Sequence, residues 1–242
     1  MNLDAKVFYY GEEPAVSLLE KAYGEYAAAA KEAGECDVST GFVFGCGDVK
    51  SRVMLVGEAP GKDEIAEGRP FVGKAGSILD DFLSMSGIRR GELFITNTVK
   101  YRLARPAKNA RTKKDFDGAQ LSLPGFSAEQ SHSAPAAGKL ANRPAKEHEV
   151  RLGAGLLKKE IEIIKPEIVV TLGNVPLKAV TAAFFPDVKP LTVGNAHGEA
   201  SELTEGTVLF PMYHPASLIY NPGNATVYAE DMKKLADIVK EL

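Results

Sequence analysis

The sequence predicts an α/β fold, a three-layer α/β/α sandwich with a central, mainly parallel four-stranded sheet. Two observations carry this. Four short apolar runs recur along the chain, at 52–56 (RVMLV), 93–96 (LFIT), 167–172 (EIVVTL) and 207–212 (TVLFPM), and strands buried on both faces are apolar throughout rather than alternating. Segments of helical periodicity separate them, and strands alternating with helices build a parallel sheet covered on both sides. The 242 residues, 45% hydrophobic and 25% charged, are enough for a single domain, 1–242, with its own core.

Each element follows from local pattern. Residues 12–34 carry Val16, Leu18, Leu19, Ala22, Tyr23 and Tyr26 near helical spacing, then an alanine run and a stop at Gly34. The strand at 52–56 closes on Gly57 and opens a long glycine-rich loop, 57–76 (GEAPGKDEIAEGRPFVGKAG). A helix over 77–87 ends on glycine, and the strand at 93–96 ends at Asn97. Residues 104–149 are rich in Ala, Pro, Lys, Ser and Gly, too long and too polar for an ordinary connection, and are expected to be an extended insertion. Order resumes with a helix over 150–164, the strand at 167–172, a helix over 175–184 and the strand at 207–212. The loop 213–224 (YHPASLIYNPGN) leads into a last amphipathic helix, 225–241.

Composition excludes several classes of function. No run of 18 apolar residues occurs and the first residues lack the basic-then-apolar order of a signal peptide, so a cytoplasmic protein without membrane contact is expected. Cys36 and Cys46 are the two cysteines, too few for a disulfide scaffold and, by themselves, too few to ligate zinc or an iron–sulfur cluster. The net charge of -3 hides a split: residues 100–151 hold eleven Lys/Arg against five acids, a local +6 beside a remainder of -9. Such asymmetry suits a polyanion contact, because neutralising phosphates needs a local excess of Lys and Arg.

In open α/β sheets ligands bind beyond the carboxyl ends of the strands. Glu58 and Glu64 follow the first strand, Asn97 ends the second, and His214 follows the last. Singly, each has a commoner role: a surface histidine, a turn asparagine, a solvated acid. Their joint placement at one rim raises them together. A phosphate-binding alternative rests on 68–74 (GRPFVGK), which fits seven positions of G-x4-G-K-[ST], but Ala75 supplies no hydroxyl and no buried strand precedes the segment.

The segments 57–61 (GEAPG), 68–76 (GRPFVGKAG), 95–100 (ITNTVK), 171–173 (TLG) and 212–218 (MYHPASL) resemble the uracil-DNA glycosylase superfamily, most of all its family four, whose members normally carry a 4Fe-4S cluster. The resemblance covers about 43–103 and 155–240. It implies an enzyme that hydrolyses the N-glycosidic bond of a uracil flipped out of DNA, leaving an abasic site, and a monomer whose partner is uracil-containing DNA. A glycosylase must extrude its base and then read it by stacking and by its Watson–Crick edge. Phe71 is then the stacking face and Asn97 the reader, its amide able to accept from N3–H and donate to O4, with Gly57 and Ala59 lining the same pocket. His214 would stabilise charge on the departing uracil O2. Of the two acids, Glu64 is expected to hold the water and Glu58 to shape the pocket. Pro215, Ser217 and Leu218 are the expected DNA contacts of the HPASL segment, Leu218 as the wedge filling the vacated stack, with Lys100 and Arg102 beside Asn97.

Two departures stand out. The family's four cluster cysteines fall on Ala30, Ala33, Tyr101 and near Leu152, so no metal and no cofactor are expected, and apolar contact among these four positions should take the cluster's place. The basic insertion directly follows the Asn97 segment, which suits tracking of phosphates. The rival readings are a non-catalytic DNA-binding relative, a glycosylase preferring another deaminated base such as hypoxanthine, and a nucleotide hydrolase.

Overall fold

The four apolar runs become four adjacent parallel strands. In the computed structural model, which describes residues 8–34, 41–106, 140–189 and 191–241, the elements are, in chain order, β1 (Phe8–Tyr10), α1 (Ala15–Glu32), β2 (Cys46–Asp48), β3 (Val53–Gly57), α2 (Lys62–Glu67), α3 (Lys74–Met85), β4 (Leu93–Asn97), β5 (Ala104–Pro106), β6 (Leu140–Asn142), α4 (Glu147–Ile164), β7 (Ile168–Leu172), α5 (Asn174–Phe184), α6 (Val193–Ala196), β8 (Ser201–Thr204), β9 (Thr207–Met212), α7 (Ser217–Tyr220) and α8 (Ala225–Glu241). The chain divides into a main unit, Met1–Leu103 with Pro144–Leu242, and a small unit, Ala104–Arg143.

The main unit's sheet has the order β1-β2-β4-β3-β7-β9-β8. Its centre, β4-β3-β7-β9, is wholly parallel, as the apolar runs predict. Three further strands extend it: β1 parallel to β2, β2 antiparallel to β4, and β8 antiparallel to β9. The sheet is therefore seven-stranded rather than four-stranded. These edge strands are three or four residues long, FYY, CGD and SELT, too short and too polar to register as apolar runs.

Strand side chains alternate between two cores, which makes the three layers. Met54, Val56, Phe94 and Val169 point into a cluster with Leu19, Tyr23 and Tyr26 of α1, Leu156 and Leu157 of α4 and Leu177 of α5. Val53, Leu55, Ile95 and Val170 point the other way, onto Leu79 and Leu83 of α3 and Tyr228, Met232 and Leu235 of α8. On α1 the buried positions are Leu19, Ala22, Tyr23, Tyr26, Ala27 and Ala30, at helical spacing, whereas Leu18 is exposed.

The sequence-based boundaries shift in two places. The loop expected over 57–76 contains α2 and the first turn of α3, both masked in the sequence by glycines. Gly76 lies inside α3 because a Cβ there would sit 2.0 Å from the Phe71 carbonyl oxygen. The insertion expected to run to 149 gives way earlier, since α4 begins at Glu147. In the small unit β5 pairs with β6, Ala104 opposite Asn142. Most of the basic insertion, 107–139, lies outside the described residues, as does Cys36.

Candidate active site

Register brings the site together. Gly57 at the end of β3 pairs with Asn97 at the end of β4, and Leu172 of β7 pairs with Met212 of β9, two residues before His214. Four carboxyl ends thus open on one rim. The backbone continues the zipper past the strands: Thr98 N–H donates to the Gly57 carbonyl at 2.8 Å, Val99 N–H to that of Glu58 at 2.9 Å, and Gly173 N–H to that of Met212 at 2.8 Å.

Gly57, Phe71 and Asn97 meet. A Cβ on Gly57 would lie 2.4 Å from Asn97 Oδ1 and 2.6 Å from Phe71 Cζ, so the ring and the amide lie against the bare backbone. Phe71 is buried, packs with the second core, and has φ 54°. A bulky residue in the left-handed region costs of order 1–3 kcal/mol, and such outliers gather at functional sites. Asn97 is 3% exposed, and its side-chain amide makes no hydrogen bond among the described residues while its atoms keep a little solvent access. Buried amides are normally paired, so this one is set to pair with something that enters.

His214 completes the group, its ring 5.7 Å from that of Phe71 at 28°. The Ala216 N–H donates to Nδ1 at 3.1 Å. Burial pulls its pKa down to about 4, against a weaker upward pull from Glu64. The ring is therefore neutral at pH 7 with its proton on Nε2, which has no protein partner among the described residues and is free to donate. Gly173, the last residue of the TLG segment, lies against the base of this side chain: a Cβ there would be 3.3 Å from His214 Cβ.

The two acids separate by environment. Glu64 sits in the first turn of α2, where its Oε2 accepts the Gly61 N–H at 3.0 Å and its Oε1 accepts those of Val72 and Gly73 at 3.1 and 2.8 Å. It ties the 57–61 loop to the Phe71 loop. Glu58 is half-buried, its carboxyl pushed above the usual range by desolvation and eased back by a backbone bond from Ala145.

Other expected contacts fare differently. Lys100 is not on a DNA-facing surface: its side chain is 0% exposed and is paired with Glu160 at 2.8 Å, because α4 covers it. Arg102 is half-buried, Pro215 is buried, and Ala59 is half-buried against the first core. Ser217 is half-buried, and its hydroxyl has no partner among the described residues. Leu218 packs against the second core, while Ile219 and Tyr220 beside it are exposed. The 68–74 segment is no phosphate loop, since α2 rather than a strand precedes it and Phe71 at its centre is buried in the core.

The close approach at Gly57 makes a direct prediction. Gly57→Ala has to displace Asn97 or Phe71, and about a 100-fold fall in any activity of this site is expected together with a loss of stability of about 1–3 kcal/mol. Parallel kinetic and calorimetric measurements check it.

The family model of the uracil-DNA glycosylase superfamily matches residues 44–240, a span that includes every residue of this rim. The chain belongs to the uracil-DNA glycosylase superfamily. It is 32% identical over 204 residues to the type-4 uracil-DNA glycosylase of Thermotoga maritima, covering 84% of this chain and 85% of that one. It is 31% identical over 201 residues to the type-4 enzyme of Sulfurisphaera tokodaii, with 82% and 75% covered. The type-4 enzyme of Archaeoglobus fulgidus is 28% identical over 210 residues, with 84% and 86% covered.

An iron–sulfur cluster of the kind expected in family four does not fit this superfamily member. The chain has two cysteines, Cys36 and Cys46, and four thiolates are what such a cluster requires; the resemblance places the family's ligands on Ala30, Ala33, Tyr101 and near Leu152. Tyr101 spends its hydroxyl on Glu149 Oε1 at 3.0 Å. Ala30 and Tyr101 belong to the first core and Leu152 packs against it, whereas Ala33 is exposed beyond the end of α1. Edge-to-face contacts of Phe42 with Tyr26 and with Tyr101, at 6.3 and 6.2 Å, run between α1 and the segment after β4.

Proposed function

We propose that the chain is a DNA glycosylase that hydrolyses the N-glycosidic bond of uracil flipped out of DNA and leaves an abasic site. The observation that carries this is the unpaired, buried Asn97 amide set against the Phe71 ring and a neutral imidazole. Uracil matches it: N3–H for Oδ1, O4 for Nδ2, and an aromatic face for Phe71. As the glycosidic bond lengthens, charge gathers on uracil O2, and His214 Nε2–H is the donor placed to receive it. Glu58 positions the attacking water, since Glu64 is engaged by three backbone amides.

DNA is the macromolecular partner, and one chain acts as a monomer in the cytoplasm. A single chain supplies the ring, the amide and the imidazole, and no described helix is long and apolar enough to cross a membrane. Arg102 and Ser217 contact the phosphates, Leu218 and its exposed neighbours Ile219 and Tyr220 occupy the vacated stack, and the basic insertion follows the backbone.

Incubation with single- and double-stranded uracil oligonucleotides, followed by alkali, should give strand scission at uracil. Scission at hypoxanthine alone would replace uracil by that base, and binding without scission would make the chain a non-catalytic relative. Glu58→Gln should lower kcat by about 100-fold or more. The wild-type rate should fall with acid through the raised Glu58 pKa, because the base works deprotonated, and the pH–rate profile of the variant should lack that limb.

A further inference from the structure

Lys100 and Glu160 form the most deeply buried charged pair among the described residues, each side chain 0% exposed. The Lys100 Nζ donates to both Glu160 oxygens, at 2.9 and 2.8 Å, to Thr96 Oγ1 at 2.5 Å, and to the carbonyl oxygen of Asn97 at 2.6 Å. Thr96 Oγ1 donates to Glu160 Oε1 at 3.0 Å, and Tyr23 Oη donates to the same oxygen at 2.8 Å. Every group is satisfied, and the residues that flank and include Asn97 are held from α4. Along that helix Glu149 accepts from Tyr101, and Gly153 lets the backbone approach so closely that a Cβ would sit 2.3 Å from the Thr98 carbonyl oxygen. Positions 149, 153 and 160 lie on one face of α4 and grip residues 96–101.

A buried ion pair is weak evidence for stability, because apolar replacements of similar volume are often neutral or better. Its geometry here suggests another use. The ammonium clamps the one peptide carbonyl whose residue carries the unpaired amide, at a strand end where the β-ladder stops.

We infer that Lys100 and Glu160 are positioning residues that fix Asn97 for base reading, an inference that rests on the glycosylase reading for its consequence in catalysis. Displacements of about 1 Å at a reacting pair cost about 100-fold in rate. Loosening Asn97 therefore lowers kcat and base discrimination rather than DNA binding, since the pair is out of reach of any phosphate.

The test is the double variant Lys100→Met/Glu160→Leu, which removes both charges together. The side-chain amide signals of Asn97 are followed by nitrogen-15 NMR without DNA, identified by their absence in Asn97→Ala. A shift or broadening of those signals is expected, with a fall of about 30- to 100-fold in kcat, an unchanged KM for uracil-containing DNA, and a narrowed preference for uracil over cytosine. Leu157→Ala, a cavity on the same helix, should cost stability without moving the Asn97 signals. Should the double variant fail to fold, Thr96→Val removes the hydroxyl that links Lys100 to Glu160 at nearly constant volume and should move the same signals less far. A folded variant of either kind with Asn97 signals, kcat and discrimination all at wild-type values overturns the inference. If the wild type excises no uracil but the Asn97 signals still move in the variants, the clamp stands and the glycosylase reading falls.

Discussion

His214→Ala is expected to lower kcat on uracil-containing DNA by about 100- to 1000-fold with little change in KM, the signature of a donor that acts only in the transition state. The ring makes its protein contact through Nδ1 and leaves Nε2–H to the leaving base. Because its pKa lies at about 4, the imidazole is neutral across the physiological range and donates without first having to lose a charge. An acid limb owned by His214 should thus appear only near pH 4, below that of Glu58. Stability responds as well. Between pH 4 and 6.5 the unfolded chain binds a proton at this residue that the folded chain refuses, so stability rises with pH through that window. The contribution is present above pH 6.5 and lost towards pH 4, on the order of 3 kcal/mol at most. Urea unfolding at several pH values should show that slope in the wild type and a shallower one in His214→Ala; equal slopes would remove the buried neutral ring from the account.

Asn97→Ala is expected to abolish uracil excision to within measurement, a loss of about 10,000-fold, because a site built to hydrogen-bond its substrate loses both recognition and orientation at once. Its effect on folding should be small. The side-chain amide bonds to no described protein group, so its removal leaves no partner unpaired. Loss of activity together with an unchanged or slightly raised melting temperature is the expected pair of results. A drop of several degrees would instead assign the amide a place in the fold.

The strand ends were legible because four apolar runs stop at chemically distinct residues, and Gly57, Asn97 and His214 came with them. Helix α2, flanked by Gly61 and Gly68, and the first turn of α3 were not, since Gly73 and Gly76 weigh against helix locally while the close approach to the Phe71 carbonyl demands the second of them. Lys100 was misplaced for a related reason. Its neighbours in sequence are the basic residues of the insertion, but its partner is sixty positions away on α4. One signal was there to be read: Glu160 falls on the apolar stripe of α4 with Leu156, Leu157 and Ile164, where an unpaired carboxylate would be untenable. Edge strands, set by pairing rather than by composition, left no trace.

Among the described residues, the edge-to-face contacts of Phe42 with Tyr26 and Tyr101, with the Tyr101 to Glu149 bond, tie α1 and α4 to the segment after β4. Side chains that arrive with the chain need no delivery. The seam is therefore complete once the chain has folded, and treatment with an iron chelator is expected to leave the melting temperature unchanged.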